Sequence, residues 1–581
     1  MRSLATPLLT LSCWVSHATA AAVAADIYPV AEQYASRECR NIPGDPNWPS
    51  VQEWDLLNQT VNGRLIRTIP IGSVCHDPDY NEEACQALAA GWVYTSTFLG
   101  SPADGVAPYF QNQSCDPFTS VESPCAIGND AVYSINVTQV SDIQAGVLFA
   151  SKHNIRLNIK NTGHDLLGKS TGKGALSLWV HHLNSYEFID KYDGPGKYTG
   201  PAARVGAGVL FNDILSAASE RGVRLVAGTC PTVAMAGGFA AGGGHGILTP
   251  QYGLAADTVL EWEVVTAAGA HLVATPWSNP ELYWALSGGG GGTFGVVVSV
   301  TVQTYPDAPM GGASTYLDIN SAGGAENFWN AVTAFQSSLG AVVDTGTYVA
   351  YSVTPTALNV YGIAVPDGNL SVVNETLQPV KTALASNGTP LTFATTNHTG
   401  YLDYYNSYFR EIFTVTPEAQ VTGGRLVPRK LLESPETAET VTQAFKAATE
   451  AGFSLICVAL KADKAPLYPN AVFPVWRSAL LECVVSSLWN FTLPWSDMLA
   501  VQAALTDTVM PQIEEATPGG GSYLNEANFQ QPDWQEAFYG SNYGRLSAAK
   551  EIYDPTSLFY AQTAVGSDVW AQDSEGRLCR T

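Results

Sequence analysis

Two side chains with chemistry of their own stand in loops of small residues about 65 positions apart. His164 lies in Asn161-Thr162-Gly163-His164-Asp165-Leu166-Leu167-Gly168, and Cys230 lies in Gly228-Thr229-Cys230-Pro231-Thr232-Val233. An imidazole and a thiol held this way could ligate a metal, act as base and nucleophile, or bond covalently to a cofactor. The small neighbours let backbone close on a flat or phosphorylated ligand.

The elements around these loops alternate. Ser141 to His153 reads as a helix with Ile143, Val147, Leu148 and Ala150 on its apolar side, and Arg156 to Lys160 as a short buried strand leading into the His164 loop. A strand over Leu176 to Val180 follows. Phe211 to Arg221 reads as a helix and Arg224 to Val226 as an extended stretch that delivers the Cys230 loop. Val259 to Thr266 and His271 to Ala274 flank Ala267-Ala268-Gly269-Ala270, a hairpin pattern. Pro280 to Leu286 is a short helix, and Val296 to Val302 a near-continuous apolar strand.

Three glycine clusters, at 163–174, 237–246 and 288–295, join these elements. Glycine permits positive φ and close backbone approach, so exposed N–H groups can cradle a pyrophosphate. None of the clusters has the dinucleotide fingerprint with an acidic residue about 20 positions on, and none has a Walker lysine. Three such loops in one domain favour a long, phosphate-bearing ligand. Metal binding is the weaker rival: His181, His182 and His245 could join His164 and Cys230, but no Cys-x-x-Cys or His-Glu-x-x-His spacing exists. A Cys-His hydrolase lacks any marked orienting acid or oxyanion hole. No metal is expected.

The ends of the chain bear on its compartment. Met1-Arg2, an apolar Leu4 to Val15 and the small-x-small Ala18-Thr19-Ala20 read as a signal peptide, residues 1–20. That run is too short to span a bilayer, and no later run of about 18 apolar residues occurs. Eight sequons, at Asn58, Asn112, Asn136, Asn369, Asn374, Asn387, Asn397 and Asn490, make a glycoprotein the expected product. The formal charge of −24 over 581 residues disfavours nucleic acid and anionic membranes as partners. A soluble, secreted, extracellular monomer acting on a small molecule is expected.

Cysteine parity adds an inference. Of ten cysteines, Cys13 falls in the signal region, leaving an odd number for an oxidising compartment. Short spacing suggests Cys75–Cys85 and Cys115–Cys125; position suggests Cys457–Cys483 and a Cys39–Cys579 clasp of the two ends. Spacing alone does not fix these pairings. The cysteine left over is Cys230.

The segments Asn161–Thr171, Ala227–Pro231, Gly242-Gly243-Gly244-His245-Gly246, Tyr252–Asp257, Trp284–Gly295 and Asn542–Asp554 occur in an order that resembles the berberine bridge enzyme-like oxidases. Those belong to the vanillyl-alcohol oxidase/p-cresol methylhydroxylase (PCMH) flavoproteins, and the likeness is greatest to secreted fungal members. The resemblance implies an α+β fold: a PCMH-type FAD-binding domain of two α/β subdomains, plus a substrate domain with an antiparallel sheet flanked by helices. The corresponding division is a disulfide-rich region at 21–130, the FAD domain at 131–308, the substrate domain at 309–500 and a returning segment at 501–581.

In that family the matching histidine and cysteine bond to the 8α-carbon and C6 of FAD, so the resemblance implies bicovalent FAD at His164 and Cys230. It further implies that Asn161, Thr162, Gly163, Asp165, Leu166, Gly168, Thr229, Gly237, Gly238, Gly242, Gly243 and Gly246 line the cofactor. Asn542 and Tyr543 would approach its ring system. The implied activity is oxidation of an alcohol-type substrate, a sugar or a bulkier phenolic or secondary metabolite, with O2 reduced to hydrogen peroxide. The alternative is a dehydrogenase, or a largely non-catalytic flavin-binding protein with poor O2 reactivity. Candidate bases are Tyr523, which needs a cationic or hydrogen-bonding neighbour to act at neutral pH, then Glu482 in an apolar run, then His245. Asn525 would share the face of Tyr523 if that segment were a strand.

Overall fold

The computed structural model describes residues 39–581; the signal-peptide reading and Cys13 lie outside them. The first sheet runs Leu65–Arg67, Tyr133–Asn136, Leu176–Trp179, Leu157–Lys160, with the outer pair antiparallel and the rest parallel. Its crossover is the helix Val140–His153. Asp142 in the first turn of that helix accepts from the Thr138 backbone N–H at 3.0 Å and from Arg64 Nε at 3.2 Å, and Asn154 ends it in the left-handed region at φ 51°. Gly146 faces the sheet so closely that an added Cβ would stand 2.5 Å from Leu178 Cδ2. The helix therefore packs Ile143, Val147 and Ala150 against Ile135, Leu157 and Leu178.

A second, all-antiparallel sheet has the order Tyr186–Ile189, Ala202–Gly206, Val296–Gln303, Val259–Val265, His271–Ala274. The last two strands form the expected hairpin. Helix Phe211–Glu220 buries Phe211, Ile214, Leu215 and Ala218, and the extended stretch after it is shorter than expected, only Val223–Arg224. Together these two sheets and their helices make the two expected subdomains.

The third sheet has seven antiparallel strands in the order Ala394–His398, Met310–Asp318, Ala357–Pro366, Tyr348–Val353, Ser454–Ala459, Ala479–Leu488, Gln420–Pro428. Alternation assigns its two faces. Val349, Leu455, Cys457, Leu481, Cys483 and Val485 pack on one side under helices Ala325–Val343 and Pro435–Glu450. Ala350, Val458 and Glu482 stand in register on the opposite face, since Ala350 pairs with Val458 and Val458 with Glu482. That face fronts a cavity closed on its other side by the glycine loops.

The chain then returns. Helix Tyr543–Tyr553 presents Lys550, whose buried ammonium donates to the Thr293 and Phe559 carbonyls and to Asp554 Oδ2, each at 2.7 Å. Four disulfides form, Cys39–Cys579, Cys75–Cys85, Cys115–Cys125 and Cys457–Cys483, and Cys230 is the free thiol among the described residues. Among those residues no helix is long and apolar enough to cross a membrane.

Candidate active site

The cavity has a volume of about 400 Å³ and two chemically distinct ends. Strand Leu157–Lys160 feeds the His164 loop, and the segment after Val223–Arg224 carries Cys230 to the same wall. His164 Nε2 lies 3.8 Å from Cys230 Sγ and 2.7 Å from Thr232 Oγ1. On its other side, Nδ1 lies 3.1 Å from Glu418 Oε2, and the thiol points at Glu418 Oε1 at 3.6 Å. Thr95 donates a further hydrogen bond to Glu418. Burial works against an imidazolium here, but the charges of Glu418 and Cys230 outweigh it and raise His164 to about 10. Burial likewise opposes the Glu418 carboxylate, yet His164 and the Thr95 and Cys230 hydrogen bonds bring it below its ordinary range.

Glu418 carries no local sequence signal. It stands 188 positions from Cys230 and enters the site only because the seven-stranded sheet folds against the glycine loops. His164, Cys230 and Glu418 offer three ligand atoms within 4.8 Å of one another, one short of the usual four-coordinate zinc set.

Along the cavity wall, the buried Asn161 Oδ1 and Lys169 Nζ have no hydrogen-bond partner, which leaves an acceptor and a cation for a polar ligand. Burial lowers Lys169 to about 8, with Asp165 opposing that fall. Asp165 itself is spent on its own loop, accepting from Leu167 N at 3.0 Å and Ser170 N at 2.7 Å. Gly237 adopts φ +80° with nothing within 4 Å of an added Cβ, so its side toward the cavity is open backbone. Such a wall, with free backbone, an orphaned amide oxygen and a buried lysine, fits a long phosphate-bearing cofactor.

Asn161, Thr162, Gly163, Asp165, Leu166, Thr229, Gly237 and Gly238 line the cavity beside His164 and Cys230. Gly168, Gly242, Gly243 and Gly246 do not. Gly246 packs so tightly that a Cβ would fall 1.9 Å from the Ala227 carbonyl oxygen, so it holds the Cys230 segment rather than a ligand. Asn542 and Tyr543 also stand away from the lining. Asn542 Nδ2 donates to the Ala471 and Val472 carbonyls at 3.1 Å each, and Tyr543 bonds Asp568 at 3.0 Å.

The far end gathers Tyr523, Glu482 and His245, the three expected bases, and adds Glu526. The 521–526 segment is a turn rather than a strand: Glu526 N donates to Tyr523 O at 2.9 Å, which swings Glu526 back toward the cavity. Asn525 nonetheless reaches Tyr523, its Nδ2 donating to the phenolic oxygen at 2.8 Å and to Gly238 O at 2.9 Å. His245 Nε2 is 3.7 Å from Glu526 Oε1, and its ring lies 5.4 Å from that of Tyr523 and 5.6 Å from that of Trp476. Burial raises the Tyr523 phenol, and Glu526 raises it further. Among the described residues no Lys or Arg lines this end of the cavity, so the neighbour a tyrosine base needs is the hydrogen-bonding Asn525, and burial and Glu526 outweigh it. Glu482 is raised well above the carboxylate range by burial first and by Glu526 second.

Comparison with known proteins agrees with this geometry. Residues 133–275 match the "FAD binding domain" family, and residues 522–566 match "Berberine and berberine like". The chain is similar to the VAO-type flavoprotein oxidase VAO615 of Thermothelomyces thermophilus, 45% identical across 94% of this chain and 96% of that protein. It has the same identity and coverage to the bifunctional decalin synthase calF of Penicillium decumbens. Its backbone superposes on the crystal structure of a VAO-type flavoprotein from Myceliophthora thermophila with a TM-score of 0.90, at 43% identity over 94% of this chain and all of that one. The chain belongs to the VAO-type, berberine bridge enzyme-like FAD-linked oxidoreductases.

Proposed function

We propose that the protein is an oxidase that holds FAD through two covalent bonds, at His164 and Cys230, and oxidises an alcohol with release of hydrogen peroxide. The observation that carries this reading is the 3.8 Å approach of the histidine ring to the unpaired thiol of Cys230, on the wall of a cavity fitted to a phosphate-bearing cofactor. The relative named as an oxidase supports the use of O2.

FAD, when bound, supplies a two-electron acceptor for a substrate C–H bond and a route to O2. The chain's own residues do the rest. Glu418 holds a proton or a cation at His164 Nδ1, and the ring and the thiol would each hold the cofactor. Asn161 and Lys169 offer their unpartnered polar atoms to the cofactor. Tyr523 is fixed by Asn525 and kept protonated by its neighbours, so it serves as a hydrogen-bond donor to substrate rather than as the base. Glu526 and His245 are left as the proton acceptors at the substrate end, with Glu482 beside them as a buried acid. Export as a glycoprotein is supported by four disulfides and by exposure of Asn112, Asn369, Asn374, Asn387, Asn397 and Asn490.

A peroxide-coupled screen of alcohols on the purified yellow protein tests the activity. Peroxide formed with a hydroxy compound supports it; flavin reduction without peroxide would make the protein a dehydrogenase instead.

A further inference from the structure

The substrate end brings two carboxyl groups together, and among the described residues no Lys or Arg lines it. Glu482, 2% exposed, projects from the central strand Ala479–Leu488, and its Oε1 has no hydrogen-bond partner. Glu526 comes from the turn after Tyr523. His245 comes from the glycine loop opposite, and its Nδ1 is likewise buried and unpartnered. One ligand atom from each lies within 4.8 Å of the others.

The other groups that face them are phenols, an amide and hydrocarbon. Strand Tyr348–Val353 presents Tyr348 and Ala350, strand Ser454–Ala459 presents Ile456 and Val458, and the 523–525 segment presents Tyr523 and Asn525. Among the described residues the only Lys or Arg lining the cavity is Lys169, whose charged neighbour is Asp165.

Two carboxylates this close, without a cation, cannot both keep a charge in a buried site. Burial and the charge of Glu526 favour the neutral acid at Glu482, so the proton is held there. A neutral acid and a carboxylate together offer one donor and several acceptors. That set suits a hydroxyl group and repels an anion. The walls that would hold the rest of the ligand, Tyr348, Tyr361, Phe413, Ile456 and Val458, offer an apolar body little but ring faces and methyl groups.

We propose that Glu482 and Glu526 act as one acid–carboxylate pair that binds the substrate hydroxyl and accepts its proton. The same pair restricts the enzyme to uncharged or cationic hydroxy compounds with an apolar body, excluding carboxylates and disfavouring sugars. Glu526 takes the O–H proton as the C=O bond forms, and bound FAD would take the C–H hydrogen with its electron pair. His245, 3.7 Å from Glu526, then carries the proton onward. This inference rests on the oxidase reading for its proton step, but its selectivity does not need turnover.

The test is calorimetric titration of the flavin-loaded protein with benzyl alcohol and benzoate, matched in body and different in charge. The expected result is binding of the alcohol about 100-fold tighter than of benzoate at neutral pH. In the E482Q/E526Q double variant, which keeps shape and removes charge, that preference should collapse to within about tenfold. Equal binding of the two probes by the native protein, no binding of the alcohol, or an unchanged preference in the double variant overturns the proposal. So does loss of alcohol binding on treatment with a chelator, which would make the cluster a cation site. If the double variant does not fold, acidification of the native protein decides. Benzoate affinity should rise about tenfold or more as ligand and pair become protonated, and a flat profile contradicts the pair. A protein that binds the probes with this selectivity yet yields no peroxide would overturn the oxidase reading and leave the selectivity standing.

Discussion

The two ends of the cavity use the same side-chain types to opposite effect. At the cofactor end a histidine faces one carboxylate and a thiol, and the charges nearly cancel: His164 is raised to about 10 because Glu418 is lowered beside it. At the substrate end a histidine faces two carboxyl groups, and Glu482 is raised by burial first and by Glu526 second. At the first end His164, Cys230 and Glu418 each have a partner within the chain. At the second, Glu482 Oε1 and His245 Nδ1 have none. A permanently attached cofactor calls for groups held ready in place; a substrate that comes and goes calls for groups left open.

The largest expected effect breaks the first end. The H164A/C230A double variant should lose covalently held flavin completely, while each single variant keeps the colour through one remaining bond; absorbance of the protein after acid precipitation reads both. Next, E526Q should slow anaerobic flavin reduction by about 10²–10⁴-fold, the contribution of a positioned base, with flavin content unchanged. Y523F sharpens the contrast within the second end. Loss of one donor should cost about tenfold in kcat/KM, far less than E526Q, and an equal loss would return Tyr523 to the role of base.

The smallest effect concerns stability. Because the folded pKa of His164 is raised, its pair with Glu418 stabilises the unflavinylated protein fully below about 6.5 and ceases to do so as pH rises through about 10. Glu418, lowered in the fold, contributes above its ordinary value of 4.5 and loses that contribution as pH falls through its lowered value. E418Q should therefore destabilise the flavin-free protein by about 1–3 kcal/mol near pH 7. The difference from the parent should shrink toward pH 10 in thermal unfolding.

Local features were legible in the sequence, and features made by the sheet were not. The His164 loop, the hairpin over 259–274 and the helix Pro280–Leu286 each depend on neighbours a few positions away, the odd cysteine follows from a count along the chain, and each is found in the structure. Glu418 and Glu526 gave no signal of their own. Glu418 reaches the site through long-range packing, and Glu526 reaches it through the turn in which its backbone N–H donates to the Tyr523 carbonyl. Glu482 could be suspected from its apolar run, but its facing depends on register with Val458 and Ala350. Asn542 shows the converse: its place in a family-like motif suggested the cofactor, whereas its amide ties down the Ala471 and Val472 carbonyls.

The most direct test of the central claim is mass spectrometry of a proteolytic digest of the flavin-loaded protein. The account predicts one FAD joining the peptide that contains His164 to the peptide that contains Cys230. FAD recovered free, or on one of the two peptides alone, would contradict it.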